Sequence, residues 1–297
     1  MSSKPLVTVG VPVFNEQERL KDCIEALERQ TYPNMQICIS DNASTDGTYT
    51  LAQELTQKYR NISFVRQEES IGVLPNFDAV RRMAAGKYFM WVGADDKADP
   101  TYVEKMVDQL ERHPKCVAAH SAIVRVDDDG NVLQNVRLDG HFNPNNVGPL
   151  RQAMLALSPF KTVRALKLNL YIYGLYRKSF LDQIMDQREN VLNKGDRVLP
   201  ALAALSGGLR YVDEFLFFKH VHARSYRNRT PDDPLVKERL RYRELTQLIS
   251  WIFWCPTVPL WRRWYGVVIA LPYLLAKVDE ILKQFGLPPL AGTKFKF

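Results

Sequence analysis

The chain has 297 residues, of which 46% are hydrophobic and 25% are charged, and this balance excludes a generally disordered protein. Four scattered cysteines without paired spacing argue against a zinc site and are typical of a reducing compartment. The net charge is +7, and no basic, apolar leader precedes the first strand-like run, so we expect the catalytic part to be cytoplasmic.

The first half of the chain alternates between strand-like and helix-like segments. Strands are predicted over 6–13, 35–40, 62–65, 87–92 and 116–126, with helices between them, two of these over 75–85 and 100–112. Asn15 is predicted to cap the first helix, with Glu18 as its capping-box partner. This alternation predicts an α/β fold, a Rossmann-like, mostly parallel sheet with helices on both faces.

In such folds ligands bind at the carboxyl ends of the strands. That rule directs attention to the loops at 12–16, 41–47 and 93–99. The last of these contains Asp95 and Asp96, directly after a strand predicted to be buried. Adjacent carboxylates repel each other, and a divalent cation that also bridges a diphosphate would remove the conflict. An ordinary surface loop is the alternative.

The second half begins with an Asp-rich turn at 127–131. We interpret it as a hairpin turn between two strands within 116–138, because the distal glutamate of a calcium loop is absent. A second strand–helix block follows over 169–176, 179–185, 196–205 and 209–218.

The C-terminal part of the chain predicts contact with a membrane. Residues 219–243 contain eight Lys or Arg against three Asp or Glu, and residues 245–276 contain no charge except Arg262 and Arg263. The uncharged runs are shorter than the ~20 residues of a spanning helix. Their Trp and Tyr residues favour an interfacial or hairpin anchor, and the basic stretch suits an anionic leaflet rather than nucleic acid. The alternative is a helical pair packed on the globular domain.

Three segments together carry a resemblance to a known family. They are Val-Gly-Val-Pro-Val-Phe-Asn-Glu at 9–16, Ile-Ser-Asp-Asn-Ala-Ser-Thr-Asp-Gly-Thr at 39–48 and Trp-Val-Gly-Ala-Asp-Asp-Lys-Ala-Asp-Pro at 91–100. In order and spacing they resemble the signatures of family 2 glycosyltransferases of the bacterial envelope or exopolysaccharide type, over about residues 6–225. The resemblance implies an inverting enzyme with a GT-A fold, a nucleotide-diphosphate sugar donor and Mn²⁺ or Mg²⁺.

The resemblance also implies roles for individual residues. The donor-binding residues would be Pro12, Phe14, Glu16, Asp41, Asn76 and Asp95. The metal ligands would be Asp95, Asp96 and His222. Gly93 departs from the pattern, since the family usually has its first motif Asp there. Asp196, at a predicted helix start, would be the general base that deprotonates the acceptor hydroxyl, although a plain helix cap is an alternative reading of the residue.

We therefore predict transfer of one hexosyl or N-acetylhexosaminyl unit from a UDP-sugar to a lipid-linked or envelope-glycan acceptor. Residues 1–126 would bind the nucleotide sugar, 127–225 would bind the acceptor and catalyse transfer, and 226–297 would hold the protein on the inner face of the cell membrane. A non-catalytic binding or scaffold protein and a sugar nucleotidyltransferase are the alternatives. The nucleotidyltransferase would need a Gly-rich, basic loop after the first strand, where this chain has Pro-Val-Phe-Asn-Glu.

Overall fold

The computed structural model describes residues 4–138, 140, 143–157, 168–186, 195–221, 250 and 252–266. Within them, nine strands form one sheet: β1 (Val7–Val13), β2 (Met35–Asp41), β3 (Ile62–Arg66), β4 (Tyr88–Trp91), β5 (Lys97–Ala98), β6 (Ala118–Val126), β7 (Val132–Val136), β8 (Leu175–Arg177) and β9 (Leu209–His220). The α-helices that lie wholly within these ranges are α1 (Leu20–Glu28), α2 (Thr48–Lys58), α3 (Val73–Arg82), α4 (Tyr102–Arg112), α5 (Pro149–Leu157), α6 (Lys178–Met185) and α7 (Gly195–Ser206).

The strand order is β3-β2-β1-β4-β8-β6-β9-β5, with β7 paired to β6. The first four strands are parallel, as predicted. The second half departs from the expectation of a mostly parallel sheet. Strand β8 runs antiparallel to both β4 and β6, and β5 runs antiparallel to β9. The result is a mixed α/β sheet, which is consistent with a GT-A fold.

Two hydrophobic cores lie on opposite faces of this sheet, and β4 contributes to both. Tyr88 and Met90 face one core, while Phe89 and Trp91 face the other, and all four are fully buried. Because successive strand residues point to opposite faces, a strand covered on both sides is apolar throughout. This burial fixes the end of β4, from which the Asp95–Asp96 loop departs.

The predicted helix cap at Asn15 is wrong. Helix α1 begins at Leu20, and Asn15 has a positive φ of 57° outside the helix. Its side chain accepts a hydrogen bond from the backbone N–H of Thr45, 2.9 Å away, instead of one from its own helix. A contact between two loops therefore overrides the local capping pattern.

The hairpin predicted within 116–138 is confirmed. Strands β6 and β7 are antiparallel, and Asp127 Oδ1 accepts hydrogen bonds from the backbone N–H groups of Asp129 and Asn131 at 3.0 and 2.8 Å. The Asp-rich segment is thus a turn closed by its own first carboxylate.

The described part of the C-terminal segment has two kinds of apolar residue. Ile252, Cys255 and Val258 are buried in the core shared with α7. Trp254, Trp261 and Trp264 are 65%, 63% and 67% exposed. In the part of the chain that the structure describes, no helix is long and apolar enough to cross a membrane.

Candidate functional site

The site lies where β1 and β2 end, and hydrogen bonds join the loops that follow them. Asn15 N donates to Ser44 Oγ at 2.9 Å, and Glu16 N donates to Thr48 Oγ1 at 2.8 Å. Asn15 and Ala43 are the two non-glycine residues with positive φ in the described ranges, at 57° and 59°. A positive φ costs a non-glycine residue free energy, so this conformation persists only where surrounding contacts hold it. Such residues are common at binding sites.

Asp41 terminates β2 and is completely buried. Its Oδ1 accepts hydrogen bonds from both the backbone N–H, at 3.0 Å, and the hydroxyl of Ser44. Its Oδ2 makes no hydrogen bond to any described residue, and Arg66 Nε lies 3.8 Å away. A buried carboxylate oxygen without a donor is costly, so this atom is suited to accept a hydrogen bond from a ligand N–H.

Pro12 and Phe14 lie beside Asp41 at the end of β1. The pairing of β1 with β4 ends at Gly10 and Trp91, so the missing N–H of Pro12 removes no hydrogen bond from that ladder. Phe14 is 42% exposed, although the strand that leads to it is buried. Phe14 directly follows Val13, which pairs with Asp41, so the exposed ring lies at the same edge of the sheet as the unsatisfied oxygen. An aromatic ring at such an edge is a surface on which a planar base can stack.

Glu16 lies between these loops and the Asp95 loop. Burial raises the pKa of its carboxyl, and the nearby charge of Asp95 raises it further. The guanidinium of Arg19 lies 3.7 Å from Glu16 Oε2 and partly offsets both effects. The site therefore already concentrates negative charge before any ligand binds.

Asn76 lies in α3 and uses both ends of its amide within the protein. Its Oδ1 accepts from Ser40 Oγ at 2.7 Å, and its Nδ2 donates to the backbone oxygens of Ser40 and Val13 at 3.1 and 3.4 Å. These bonds hold α3 against the ends of β1 and β2. The direct contact of Asn76 with a donor stays a prediction.

Asp95 and Asp96 follow β4 in a turn closed by a 2.9 Å hydrogen bond from Asp96 N to Gly93 O. A Cβ at Gly93 would lie 2.5 Å from Asp95 Oδ1 and 2.8 Å from Asp96 Oδ2. The two carboxylates fold back over the glycine, so a side chain at this position would require them to move.

The sequence analysis missed the partner of these carboxylates, which is Lys219. Its Nζ lies 2.9 and 2.8 Å from Asp96 Oδ1 and Oδ2 and 3.7 Å from Asp95 Oδ1. Complete burial raises the pKa of the Asp96 carboxyl to about 7, although Lys219 lowers it. Burial acts to lower the pKa of Lys219, but Asp96, Tyr173 and Asp95 together outweigh burial and hold that pKa well above its usual value. The sequence feature that could have revealed this ion pair is the position of Lys219 directly after Phe217 and Phe218 in a strand predicted from apolar residues. A lysine buried in such a strand requires a partner of opposite charge.

A divalent cation fits this site only in part. Asp95 and Asp96 offer the hard oxygen ligands that Mg²⁺ and Mn²⁺ prefer, and Mg²⁺ commonly binds through one or two carboxylates together with substrate phosphates. Among the residues that the structure describes, no three His, Cys, Asp or Glu side chains are placed to hold a metal ion. The third predicted ligand, His222, lies outside the described residues.

Asp196 is the second residue of α7, which agrees with the predicted helix start. Its side chain lies outside the described residues, so its distance from Asp95 and its role as a base stay predictions.

Comparisons with known proteins identify the family of this chain. The family model described as glycosyl transferase family 2 matches residues 8–168, and this chain belongs to that family. The chain is 26% identical over 175 residues to an uncharacterised glycosyltransferase of Haemophilus influenzae, a match that covers 58% of this chain and 54% of that protein. The chain thus spans about half the length of this relative.

Two solved structures have a similar fold. One is Staphylococcus aureus TarS in complex with UDP-GlcNAc, with a TM-score of 0.65 at 14% identity, covering 93% of this chain and 77% of that chain. The other is the mannosyltransferase PcManGT of Pyrobaculum calidifontis with GDP-Man and Mn²⁺, with a TM-score of 0.53 at 15% identity, covering 95% and 81%. At these identities the likeness establishes the fold alone.

Proposed function

We propose that this chain transfers one sugar from a nucleotide-diphosphate sugar to an acceptor hydroxyl, with inversion at the anomeric carbon. The observation that carries the proposal is the buried Oδ2 of Asp41, at the sheet edge that also presents exposed Phe14 and Asp95. One end of this edge can contact a base, and the other can contact a charged diphosphate.

The donor in this proposal is a UDP-sugar. The N3–H of uracil is a hydrogen-bond donor that matches Oδ2 of Asp41, which accepts no hydrogen bond from a described residue. The complex of the structurally similar TarS with UDP-GlcNAc supports this choice, while that of PcManGT with GDP-Man makes guanine the competing base.

For the chemistry we assign residues to two tasks. Asp95 would hold a Mn²⁺ or Mg²⁺ ion, with Asp96 and His222 as the other predicted ligands, and the ion would neutralise charge on the departing diphosphate. Asp196 would accept the proton of the attacking hydroxyl, which inverting transfer requires on the face opposite the leaving group.

The acceptor we propose is a lipid-linked or envelope glycan at the inner face of the cell membrane. The support is the set of exposed aromatic residues Trp254, Trp261 and Trp264 in the C-terminal segment, together with Arg262, whose guanidinium lies 4.7 Å from the centre of the Trp261 ring. Indole and guanidinium groups together suit the boundary between headgroups and acyl chains.

The test is release of nucleoside diphosphate from a panel of UDP-, GDP- and TDP-sugars, with Mn²⁺ and with excess chelator. We expect slow, Mn²⁺-dependent hydrolysis of a UDP-sugar, faster when a lipid-linked glycan acceptor is added. No release from any donor in either condition would instead favour a non-catalytic binding protein.

A further inference from the structure

The carboxylates of Asp95 and Asp96 are paired with the ammonium group of Lys219, and the pairing of strands places that lysine beside them. Strand β5, which directly follows Asp96, pairs with Phe217 and Phe218 of β9, so the register sets Lys219 beside the loop. The backbone N–H of His220 adds a 3.1 Å hydrogen bond to Asp96 Oδ1. The Lys219 side chain is only 18% exposed.

The surroundings of Lys219 restrict where its ammonium can go. Its Nζ lies 4.9 Å from the centre of the Tyr173 ring. The negative face of an aromatic ring attracts a cation at this distance. Both oxygens of Asp96 accept from it, and Asp95 Oδ1 is within ion-pair distance. An ion coordinated by Asp96 would have to displace the ammonium, and one held by Asp95 would lie close to a like charge.

We propose that Lys219 is a positioning residue that serves as the built-in counter-ion of Asp95 and Asp96, so that a divalent ion binds tightly only together with a nucleoside diphosphate. This inference rests on the proposed function for the identity of the diphosphate. The diphosphate brings negative charge that offsets the ammonium, and it brings oxygen ligands that the described residues lack. An empty protein therefore keeps its carboxylates ordered without an ion.

The test is a titration of the full chain with Mn²⁺ alone, with free Mn²⁺ followed by electron paramagnetic resonance. The variants are Lys219→Met, which removes the charge and keeps length, and Lys219→Arg, which keeps the charge. We expect Lys219→Met to bind Mn²⁺ at least tenfold more tightly than the unmodified protein, and Lys219→Arg to match the unmodified protein. Adding UDP should tighten Mn²⁺ binding by the unmodified protein at least tenfold. Equal affinity in Lys219→Met and the unmodified protein, or no effect of UDP, would overturn the proposal.

Thermal unfolding supplies a second readout, since Lys219→Met leaves the buried Asp96 carboxylate without its partner. We expect Mn²⁺ to raise the melting temperature of Lys219→Met, or to restore its folding, and to leave the unmodified protein unchanged. The double variant Lys219→Met with Asp96→Asn should fold in chelator and lose the tight Mn²⁺ binding. Failure of Mn²⁺ to stabilise Lys219→Met would contradict the inference. The titration without nucleotide is independent of turnover, so a protein that hydrolyses no nucleotide sugar would refute the proposed function without deciding the role of Lys219.

Discussion

At the scale of single residues, the proposed base gives the sharpest kinetic expectation. Asp196 lies in the first turn of α7, where a helix N-terminus favours an ionised carboxylate. Asp196→Asn keeps a side-chain oxygen for capping and cannot accept a proton. We expect sugar transfer to fall by about 10²–10⁴-fold, roughly 3–5 kcal/mol of barrier, with nucleotide binding nearly unchanged. Transfer within a few-fold of the unmodified enzyme would show that Asp196 is only a cap.

His120 gives a residue-scale prediction about pH and stability. It is buried in β6, stacked 3.4 Å from the Tyr171 ring, and its Nε2 has no hydrogen-bond partner among the described residues. Burial lowers the pKa of His120 to about 3, whereas an unfolded histidine titrates near ~6.5. Between these values the unfolded chain binds a proton that the native protein does not, so stability falls as pH falls below ~6.5, by up to about 1.4 kcal/mol per pH unit.

The check is urea unfolding of the protein and of His120→Phe at several pH values between about 7 and about 5. Phenylalanine keeps the stacked ring and binds no proton, so its stability should decline less steeply with acid. Parallel curves for the two proteins would exclude His120 as a source of the acid sensitivity.

At the scale of elements, an arginine joins α3 to α6. Arg81 is 1% exposed, and its guanidinium binds Asp78, Asp182 and Asp186 at 2.7, 2.5 and 2.6 Å. Arg81→Ala would remove the buried cation that joins these carboxylates, although Asp78 would keep Arg82 and Asp182 would keep Lys178, 2.7 Å from its Oδ2. Since Asp186 and Asp182 also reach solvent, we expect the low end of the range for a broken buried pair, about 3 kcal/mol of unfolding free energy. The neighbouring Arg82, 66% exposed and bound to Asp78 alone at 2.6 Å, is the matched control. Arg82→Ala should cost under about 1 kcal/mol. Equal losses in denaturant unfolding would contradict this account of the contact between the helices.

The C-terminal segment gives the second prediction at this scale. Its buried residues Ile252, Cys255 and Val258 belong to the core, so point substitutions are a cleaner test than truncation. Replacing both Trp254 and Trp261 by Ala removes exposed indole rings without opening that core. We expect binding to anionic lipid vesicles to weaken by about 30-fold or more, since each ring is worth over about 1 kcal/mol when it enters lipid.

The control for this experiment is Leu133→Ala, which removes an apolar side chain from β7 that is 51% exposed. It should sediment with vesicles as the unmodified protein does. If the tryptophan variant also sediments normally, the exposed rings do not contact the membrane.

At the scale of the whole molecule, the sequence predicted those features that local chemistry determines. The parallel half of the sheet and the position of Asp95 follow from apolar strands that end in polar loops. The features it missed depend on distant partners. Asn15 has the local pattern of a helix cap, but its side chain is used in a hydrogen bond with Thr45 of another loop. Lys219 is 123 residues from Asp96 in the chain, so the sequence does not indicate that the two pair. The antiparallel insertion of β8 depends on pairing with β4 and β6, which a three-residue strand cannot indicate locally.

The central claim, that this edge of the sheet binds a nucleotide sugar through Asp41, is tested most directly by nucleotide binding. Thermal shift and calorimetry with UDP, CDP and GDP, each with Mn²⁺, would compare the unmodified protein with Asp41→Asn. Cytosine lacks the N3–H of uracil, so we expect UDP to bind about 10–100-fold more tightly than CDP, the value of one charge-assisted hydrogen bond. In Asp41→Asn the amide oxygen can still accept the hydrogen bonds from Ser44, but an NH₂ group replaces Oδ2 and cannot accept one from uracil. We therefore expect this variant to bind UDP and CDP with similar affinity. Equal binding of UDP and CDP by the unmodified protein, or much stronger binding of GDP, would contradict the account.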